Sequence, residues 1–263
     1  MPQQHNVALI TGASSGIGLE LARVLAANGY SLAITARDGG KLDAVAAELR
    51  SAYGVPVDVF VADLGQAGTA EKLWATLEAA DIAVDVLVNN AGSGMYGEFH
   101  EQPLDALKQM QVVNMVALTT LTRLALPKML ARRRGRILNV ASLVGFQPGA
   151  PLAAVYYGTK SYVLSFSTGL ARELKGTGVS VTALCPGPTR TAFEERAGMS
   201  ATRVYKWALF PSAKAVAEAG YRGMLRRRSV VVPGFVTKII TVAGHTSPRA
   251  VALEVNRFLM RRA

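Results

Sequence analysis

The sequence has one cysteine, three histidines and no long hydrophobic run, and each shortage excludes a class of protein. Cys185 has no partner for an intrachain disulfide, so a reducing compartment is expected, and we predict a cytoplasmic protein. His5, His100 and His245 lack metal-ligand spacing, so no metal site is expected. No apolar run approaches the ~20 residues of a membrane-spanning helix. Residues 1–6 lack the basic and apolar regions of a secretory signal, so none is expected.

Acidic residues are also scarce. The chain has 29 Lys and Arg against 18 Asp and Glu, which gives a formal net charge of +11 at pH 7. Such a balance attracts nucleic acid, anionic lipid or a phosphorylated ligand. The cations cluster at Arg132–Arg136, Arg226–Arg228 and Arg257–Arg262, positions typical of the C-terminal ends of helices. Because no nucleic-acid-binding module is present and aromatic residues do not interleave with these clusters, we expect no nucleic-acid partner.

What the sequence does contain is an alternation of short β-branched runs with longer helical patterns. Its 263 residues suffice for one α/β domain and are few for two. The predicted strands are Val7–Thr11, Ser31–Ala36, Val55–Val61, Val84–Asn89, Arg136–Ala141, Val179–Leu184 and Ser229–Val232. The predicted helices are Gly16–Asn28, Gly39–Ala52, Thr69–Ala80, Leu104–Arg134, Val155–Lys175 and Ala213–Leu225. This order predicts an α/β fold with a doubly wound, Rossmann-type parallel sheet, helices on both faces, in a single domain over residues 1–263.

Three stretches depart from the alternation. Pro127 removes a backbone hydrogen bond within the fourth helix, and a kink or helix end is expected nearby. Residues 189–211 are too long for an ordinary connection and are predicted to form a substrate lid. Residues 234–263 form a C-terminal extension that mixes apolar runs with basic residues. Two interpretations remain open for the extension: peripheral contact with an anionic membrane surface, or an oligomer interface or cap on its own domain.

The segment Thr11–Gly18 predicts a phosphate-binding turn between the first strand and the first helix. Gly12 permits a sharp turn, Gly16 removes a side chain where a pyrophosphate would approach, and Gly18 permits close packing of helix on strand. The helix N-terminus then offers free N–H groups and partial positive charge to the phosphates. A purely structural turn is the alternative interpretation.

The end of the second strand indicates which dinucleotide binds. An acidic residue there would hold the ribose 2′-hydroxyl of NAD, whereas an Arg accommodates the 2′-phosphate of NADP. Ala36 and Arg37 occupy this place, so charge complementarity favours NADP(H). Asp38 follows one position later, where it is also suited to cap a helix.

Tyr156 and Lys160 are the first candidates for catalysis. Residues four apart share a helix face, and a nearby ammonium favours the phenolate, which would lower the Tyr156 pKa. Such a pair can exchange a proton with a carbonyl or alcohol oxygen, although it is also common on helix surfaces. Ser142 follows the fifth strand at the edge where binding crevices form. Asn114 is a poor helix former in a helical pattern, and is interpreted as either a functional group or a structural bridge.

These residues resemble the short-chain dehydrogenase/reductase family over about residues 6–235. Five signatures occur in the family's order: Thr11–Gly18, Asp63–Leu64, Asn89–Gly92, Ser142 with Tyr156-x-x-x-Lys160, and Pro186–Thr191. The resemblance implies an NADP(H)-dependent oxidoreductase that transfers a hydride between the nicotinamide and a carbonyl or alcohol substrate, as a homodimer or homotetramer.

The resemblance also implies roles for individual residues. Asp63 with Leu64 would bind adenine, and residues 90–92 would line the adenosine ribose. Residues 186–191 would hold the nicotinamide carboxamide. The implied cofactor-binding set is Gly12, Ser14, Ser15, Gly16, Ile17, Gly18, Arg37, Asp63, Leu64, Asn90, Ala91, Gly92, Tyr156, Lys160, Pro186, Gly187, Thr189 and Thr191.

Four residues form the implied catalytic set. Tyr156 would exchange the proton, Ser142 would orient the substrate carbonyl, and Lys160 would bind the nicotinamide ribose and tune Tyr156. Asn114 would hold a water that links Lys160 to solvent. A sensor or docking protein that binds NADP without catalysis is the alternative, but it would need only the cofactor half of the set.

One departure from the family affects the predicted pocket. Ser142 precedes Tyr156 by fourteen positions, one more than is usual in the family, which leaves the shape of the substrate pocket open. The residues expected on the substrate side are Ser93, Gly94, Tyr96, residues 144–152 and residues 191–210. The last range holds Phe193, Met199, Tyr205, Trp207 and Phe210, which favour either an apolar substrate or ordinary core packing.

Overall fold

The fold is a seven-stranded parallel sheet, seen in a computed structural model that describes residues 6–189, 191–203 and 211–261. The strands are β1 (Val7–Thr11), β2 (Ser31–Ala36), β3 (Val57–Val61), β4 (Val84–Asn89), β5 (Gly135–Val140), β6 (Val179–Leu184) and β7 (Val230–Val231). Their order is β3-β2-β1-β4-β5-β6-β7, and every neighbouring pair is parallel. The predicted Rossmann-type sheet is therefore confirmed.

Helices cover both faces of this sheet. They are α1 (Gly16–Ala27), α2 (Gly39–Tyr53), α3 (Thr69–Ala79), α4 (Leu104–Gln111), α5 (Leu118–Ala131), α6 (Ala154–Glu173), α7 (Ala192–Arg196), α8 (Ala213–Leu225), α9 (Phe235–Thr246) and α10 (Arg249–Met260). Ala8 and Ile10 of β1 pack toward α1, α2 and α8, whereas Leu9 between them packs toward α3 and α5. Burial on both sides explains why most residues of the strands are apolar.

The long predicted helix is interrupted once and ends earlier than predicted. Residues Val112–Ala117 form a π-helical segment between α4 and α5, so the wider helical turn falls at Asn114. Pro127 lies inside α5, which ends four residues later at Ala131. Arg132 caps the C-terminus of α5 and Arg226 caps that of α8, as the cation clusters predict.

The C-terminal extension is largely helical, and the described part of the predicted lid contains the short helix α7. The extension forms α9 and α10, which the sequence patterns did not predict as helices. In the predicted lid, Thr191 and Glu194 form a capping box at the start of α7. Arg190 and residues 204–210 lie outside the described residues. Among the residues that the structure covers, no helix is long and apolar enough to cross a bilayer.

Candidate active site

A cleft of about 880 Å³ runs along the carboxyl ends of the strands. All the residues of the implied cofactor-binding set except Gly18 line this cleft, and so does Ser142. Parallel strands end at the same edge of the sheet, so residues that follow β1, β2, β4, β5 and β6 meet there. The structure thus brings the separate sequence signatures into one cavity.

The glycine-rich turn is built by close backbone packing. Gly12 adopts a φ of +67°, and a Cβ there would lie 2.8 Å from Nδ2 of Asn90. Nδ2 of Asn90 donates to the carbonyl oxygens of Thr11 at 2.9 Å and Gly12 at 3.1 Å. A Cβ on Gly18 would overlap the Gly12 carbonyl oxygen. The turn therefore depends on glycine at both positions, and Asn90 fixes it from the end of β4.

The N-terminus of α1 opens toward this cleft. Ser15 is the N-cap residue, and within the described part of the chain its side chain makes no capping hydrogen bond to the helix. Gly16 adopts a φ of +59°, and a Cβ there would lie 3.2 Å from Cβ of Thr191. The helix N–H groups are thus left to face the cleft, an arrangement suited to an anionic group.

Basic residues stand beside the end of β2. Arg37 is exposed and lines the cleft, and so does Lys41 in the first turn of α2. Asp38 caps α2, because Oδ1 accepts from the Lys41 backbone N–H at 3.1 Å, and Oδ2 lies 2.9 Å from Nζ of Lys41. Hydrogen bonding to Lys41 lowers the pKa of Asp38. The alternative role expected for Asp38, as a helix cap, is therefore observed.

Two further cleft residues, Asp63 and Leu64, follow β3. Oδ1 of Asp63 accepts from the Gly65 backbone N–H at 3.0 Å, which fixes the carboxylate at the mouth of the cleft. Leu64 is buried against the sheet. Both residues line the same cleft as Arg37, as expected if one end receives an adenosine.

At the other end of the cleft, the Ser142 side chain lies close enough to the Tyr156 hydroxyl to act on its pKa, and Oγ of Ser142 accepts from the Val144 backbone N–H at 3.3 Å. Lys160 donates from Nζ to the carbonyl oxygen of Val140 at 2.9 Å, and this nitrogen lies 6.0 Å from the centre of the Tyr156 ring. Tyr156 and Lys160 are both buried, at 8% and 7% exposure. They are therefore not an exposed helix pair, the alternative interpretation of this motif.

Burial is the main influence on the ionisation of Tyr156 and Lys160. It raises the pKa of Tyr156 to about 12, although the hydrogen bond from Ser142 acts in the opposite direction. Burial also lowers the pKa of Lys160 to about 8, while the charge of Cys185 acts to raise it. The expectation that Lys160 lowers the Tyr156 pKa is wrong for this state, because burial raises this pKa and the opposing effect comes from Ser142.

Asn114 lies in the π-helical segment and bridges two parts of the site. Its Oδ1 accepts from the Ser93 backbone N–H, and its Nδ2 donates to the Ser93 carbonyl oxygen and to Oγ1 of Thr159, each at 2.9 Å. A Cβ on Gly92 would lie 3.0 Å from Oδ1 of Asn114 and 3.8 Å from Nζ of Lys160. Asn114 is therefore a structural bridge that also lies beside Lys160.

The extra residue between Ser142 and Tyr156 is absorbed by a loop. Residues Leu143–Phe146 form a short 3-10 helix whose start is capped by Ser142. Gly149 and Leu152 then adopt φ values of +138° and +64° before α6 begins. Because Ser142 still reaches Tyr156, the insertion alters the wall of the cleft and leaves the hydroxyl pair intact.

Residues 186–189 and Thr191 form a wall of the cleft beside the glycine-rich turn. The Pro186 carbonyl oxygen accepts from the Leu143 backbone N–H at 2.8 Å, and Oγ1 of Thr189 donates to the Gly187 carbonyl oxygen at 2.9 Å. Oγ1 of Thr191 accepts from the Phe193 backbone N–H at 3.2 Å and is therefore engaged in capping α7. Pro186, Gly187, Thr189 and Thr191 all line the cleft.

The substrate side combines predicted and unpredicted residues. The Phe193 ring packs 5.7 Å from the Tyr156 ring, and Ser93, Gly94 and Met199 line the cleft as expected. Tyr205, Trp207 and Phe210 lie outside the described residues. Sequence reasoning missed four cleft residues of α9 and α10: Ile240, Asn256, Leu259 and Met260. A clue was available in Asn256, a polar residue at helical spacing from apolar neighbours.

Hydrogen bonds hold the C-terminal helix α10 against the cleft. Nδ2 of Asn256 donates to the Gly149 carbonyl oxygen at 2.7 Å, and the Tyr96 hydroxyl donates to the Met260 carbonyl oxygen at 2.5 Å. Tyr96 was predicted to line the substrate side of the cleft. It is not among the cleft-lining residues, and it anchors α10 through Met260. In the ranges described, no group of three or more His, Cys, Asp or Glu side chains is placed to hold a metal ion.

Comparisons with known proteins agree with this geometry. A family model described as short chain dehydrogenase matches residues 6–200. A very-long-chain 3-oxoacyl-CoA reductase from Anas platyrhynchos is 39% identical over 184 residues, which cover 68% of this chain and 58% of that protein. The ketoacyl reductase HetN from Nostoc is 32% identical over 258 residues, which cover 92% and 85%.

A solved structure extends the similarity to three dimensions. A short-chain dehydrogenase from Sphingobium yanoikuyae in complex with NADPH has a TM-score of 0.81 and 34% identity, and the match covers 91% of this chain and 92% of that one. Several curated relatives are longer: the chain spans between 52% and 58% of the length of the very-long-chain reductases that it matches.

Proposed function

This chain belongs to the short-chain dehydrogenase family, and we propose that it is an NADP(H)-dependent oxidoreductase acting on a carbonyl or alcohol carbon. The observation that carries the proposal is the meeting of Ser142, Tyr156 and Lys160 in one cleft with a glycine-rich turn and Arg37. A proton-exchanging group and a dinucleotide cradle in the same cavity are what a hydride transfer requires.

The cleft fits a phosphorylated dinucleotide. The free N–H groups of α1 and the glycine-rich turn would hold the pyrophosphate. Arg37, with Lys41 beside it, would hold the 2′-phosphate, and Asp63 with residues 90–92 would hold the adenosine. Lys160 and residues 186–191 would hold the nicotinamide end. When bound, NADPH supplies the hydride.

Tyr156 and Ser142 handle the substrate oxygen. Ser142 donates a hydrogen bond to the carbonyl and polarises it. As the carbon accepts the hydride, the phenolic O–H of Tyr156 breaks and its proton forms the new alcohol O–H. The raised pKa of Tyr156, about 12, keeps this proton in place at neutral pH, so the phenol is available as the acid for carbonyl reduction. Hydrogen bonding from Ser142 and the Lys160 charge then stabilise the phenolate.

The proton must be returned to Tyr156 after each turnover. Lys160 is buried beside it and, with a pKa lowered to about 8, can both release and accept a proton near neutral pH. We propose that a water held near Asn114 connects Lys160 to solvent. Support comes from Gly92, which lies between the two residues: a Cβ there would be 3.0 Å from Oδ1 of Asn114 and 3.8 Å from Nζ of Lys160.

The substrate is proposed to carry an apolar chain. Met95, Val144, Phe193, Leu259 and Met260 give the substrate side of the cleft an apolar lining. Relatives of this chain are named as reductases of 3-oxoacyl compounds, so a 3-oxoacyl thioester is the first substrate class to examine. Each substrate methylene that the apolar wall buries should contribute about 0.8 kcal/mol to the free energy of binding, so longer chains should bind more tightly.

A turnover screen tests the proposal. Purified protein with NADPH is given ketones and 3-oxoacyl thioesters of increasing chain length, and NADPH absorbance is followed. We expect oxidation of NADPH with a KM that falls as the chain lengthens. Tight NADPH binding with no turnover across the whole panel would instead favour a sensor or docking protein.

We also propose that the protein is a cytoplasmic homodimer or homotetramer. Val116, just before α5, and Tyr162 of α6 are exposed, and Tyr162 stacks on Phe166 at 5.9 Å. Apolar side chains on a helical face of this kind support self-association there. The mass in solution, measured by light scattering for wild type and Val116→Glu, tests this: a drop to the monomer is expected for the variant.

A further inference from the structure

Helix α9 exposes several apolar side chains and buries two threonines. Phe235, Ile239 and Val242 recur at helical spacing on its outer face and are 77%, 54% and 61% exposed. The inner face buries Thr237 and Thr241. Oγ1 of Thr237 has no partner among the described atoms, and Oγ1 of Thr241 turns back to the Thr237 carbonyl oxygen at 2.9 Å. This is the reverse of a helix that faces water.

Helix α10 also exposes a row of apolar side chains. Its buried face presents Ala252, Asn256 and Met260 to the protein, whereas Val251, Val255 and Phe258 are about half exposed at helical spacing. The two helices are consecutive, joined by residues 247–248. Exposed apolar faces on both mark a surface that is built to be covered by something other than its own domain.

Cations border these faces. Lys238 lines a depression together with Arg222, Arg226 and Arg228 at the end of α8. Near the end of α10, the Arg203 guanidinium lies 4.3 Å from the centre of the Phe258 ring. The backbone N–H of Arg203 donates to the Arg261 carbonyl oxygen. Glu254 is the only acidic residue in the range 235–261, and it is paired with Arg257 at 2.9 Å.

We propose that the outer faces of α9 and α10 dock on an anionic lipid surface. Apolar side chains would enter the boundary between headgroups and acyl chains, and the bordering cations would meet lipid phosphates. The net charge of +11 favours the same partner. A second copy of the chain fits less well, because a two-fold contact through these faces would bring Lys238 and its neighbouring arginines against their own copies.

Docking through α9 and α10 would bring the cleft close to the lipid surface, because both helices line it. Their inner sides contribute Ile240, Leu259 and Met260 to the apolar end of the cavity. Docking would therefore place the substrate end of the cleft beside lipid, where apolar carbonyl compounds concentrate. The lipid contact itself does not depend on the proposed activity, and it is measured without turnover.

Vesicle co-sedimentation of the full chain tests the proposal. The probes are vesicles of phosphatidylcholine alone and of phosphatidylcholine mixed with phosphatidylglycerol. We expect binding to the mixed vesicles that weakens as salt rises. Ile239→Ser with Val242→Ser should reduce vesicle affinity by at least about ten-fold, because two apolar side chains no longer enter the lipid. Lys238→Gln and Arg257→Gln should each reduce it by about five-fold.

Matched controls separate docking from general effects. Val61→Ser replaces a valine of equal exposure, 62%, on the opposite edge strand, and it should leave binding unchanged. Arg172→Gln with Lys175→Gln removes two cations at the end of α6 and should have little effect. Thermal melts should show all variants folded. Equal binding to both vesicle types, or no binding, would overturn the proposal. So would dissociation of a wild-type oligomer by the α9 variant, which would identify a second copy as the occupant.

Discussion

The Lys160 ammonium lies 6.0 Å from the centre of the Tyr156 ring, and its hydrogen bond goes to the Val140 carbonyl oxygen. Lys160 is therefore held by the end of β5, and its charge is expected to act on Tyr156 only when proton transfer leaves a phenolate there. Because the group is buried, its pKa falls to about 8, so that charge is lost near the upper end of the physiological pH range. The rate of the reaction and the stability of the fold should both respond to this titration.

The first prediction concerns the pH dependence of carbonyl reduction. Tyr156 keeps its proton up to a pKa of about 12, so it stays a competent acid, whereas Lys160 loses its charge above a pKa of about 8. The phenolate left by proton transfer is less stable without that charge, and kcat should fall as pH rises through about 8. A pH profile at saturating NADPH and ketone measures this. A kcat that stays constant to about pH 10 would contradict it.

The second prediction concerns stability without cofactor. Lys160 has its pKa lowered from 10.5 to about 8, so its charged form costs stability below pH 8, and the cost disappears between about pH 8 and 10.5. Lys160→Met should raise the free energy of unfolding at pH 7 by about 2 kcal/mol, after allowance for the lost hydrogen bond to Val140. The gain should shrink by about pH 10. Denaturant titrations at both pH values measure it, and an equal effect at the two would argue against a titrating Lys160.

The third prediction assigns the proton to one of two adjacent tyrosines. Tyr156→Phe removes the phenolic O–H and should lower kcat by about 10²- to 10⁴-fold, with NADPH affinity nearly unchanged. Tyr157→Phe is the matched control, because Tyr157 is a buried neighbour that also lines the cleft, and burial raises its pKa as well. It should keep most of the activity. Full turnover by the Tyr156 variant would show that the acid is elsewhere.

Local patterns explain how much of the molecule could be predicted. Gly12, Gly16 and Gly18 are required by a turn of a few residues, so sequence alone places them in the cleft wall or directly behind it. Parallel strands end at one edge, so Ser142 could be expected near Tyr156 from the strand order. The tail could not be interpreted in this way, because α9 and α10 bury Thr and Asn and expose Val, Ile and Phe. A rule that places apolar side chains inside assigns their faces wrongly.

The pKa values illustrate a second limit of sequence reasoning. Spacing alone places an ammonium one helical turn from the Tyr156 phenol, and an ammonium lowers a phenol pKa. How far both groups are removed from water depends on packing by residues far away in the chain, such as Phe193 and Cys185. Burial proved the larger effect and reversed the direction of the shift.

The fourth prediction concerns cofactor choice. Arg37→Ala should lower kcat/KM for NADPH by about 10- to 100-fold, because it removes a charge-assisted contact to the 2′-phosphate, and should leave NADH nearly unaffected. Lys41→Ala should have a smaller effect, since Lys41 is paired with Asp38 at 2.9 Å. Steady-state kinetics with both cofactors provide the measurement. Equal losses with NADPH and NADH would place Arg37 away from the phosphate.

The fifth prediction compares two helical glycines. A Cβ on Gly18 would overlap the Gly12 carbonyl oxygen and approach Nδ2 of Asn90, so Gly18→Ala must displace α1 from the turn. We expect a loss of about 2–4 kcal/mol in the free energy of unfolding. NADPH affinity should also fall, because the N–H groups of α1 move. A Cβ on Gly169 in α6 would meet no described atom within 4 Å, so Gly169→Ala should stabilise the protein by about 0.5–1 kcal/mol. Denaturant unfolding and NADPH titration of both variants distinguish a steric clash at Gly18 from a general effect of helix propensity. Helix propensity alone would raise the stability of both variants.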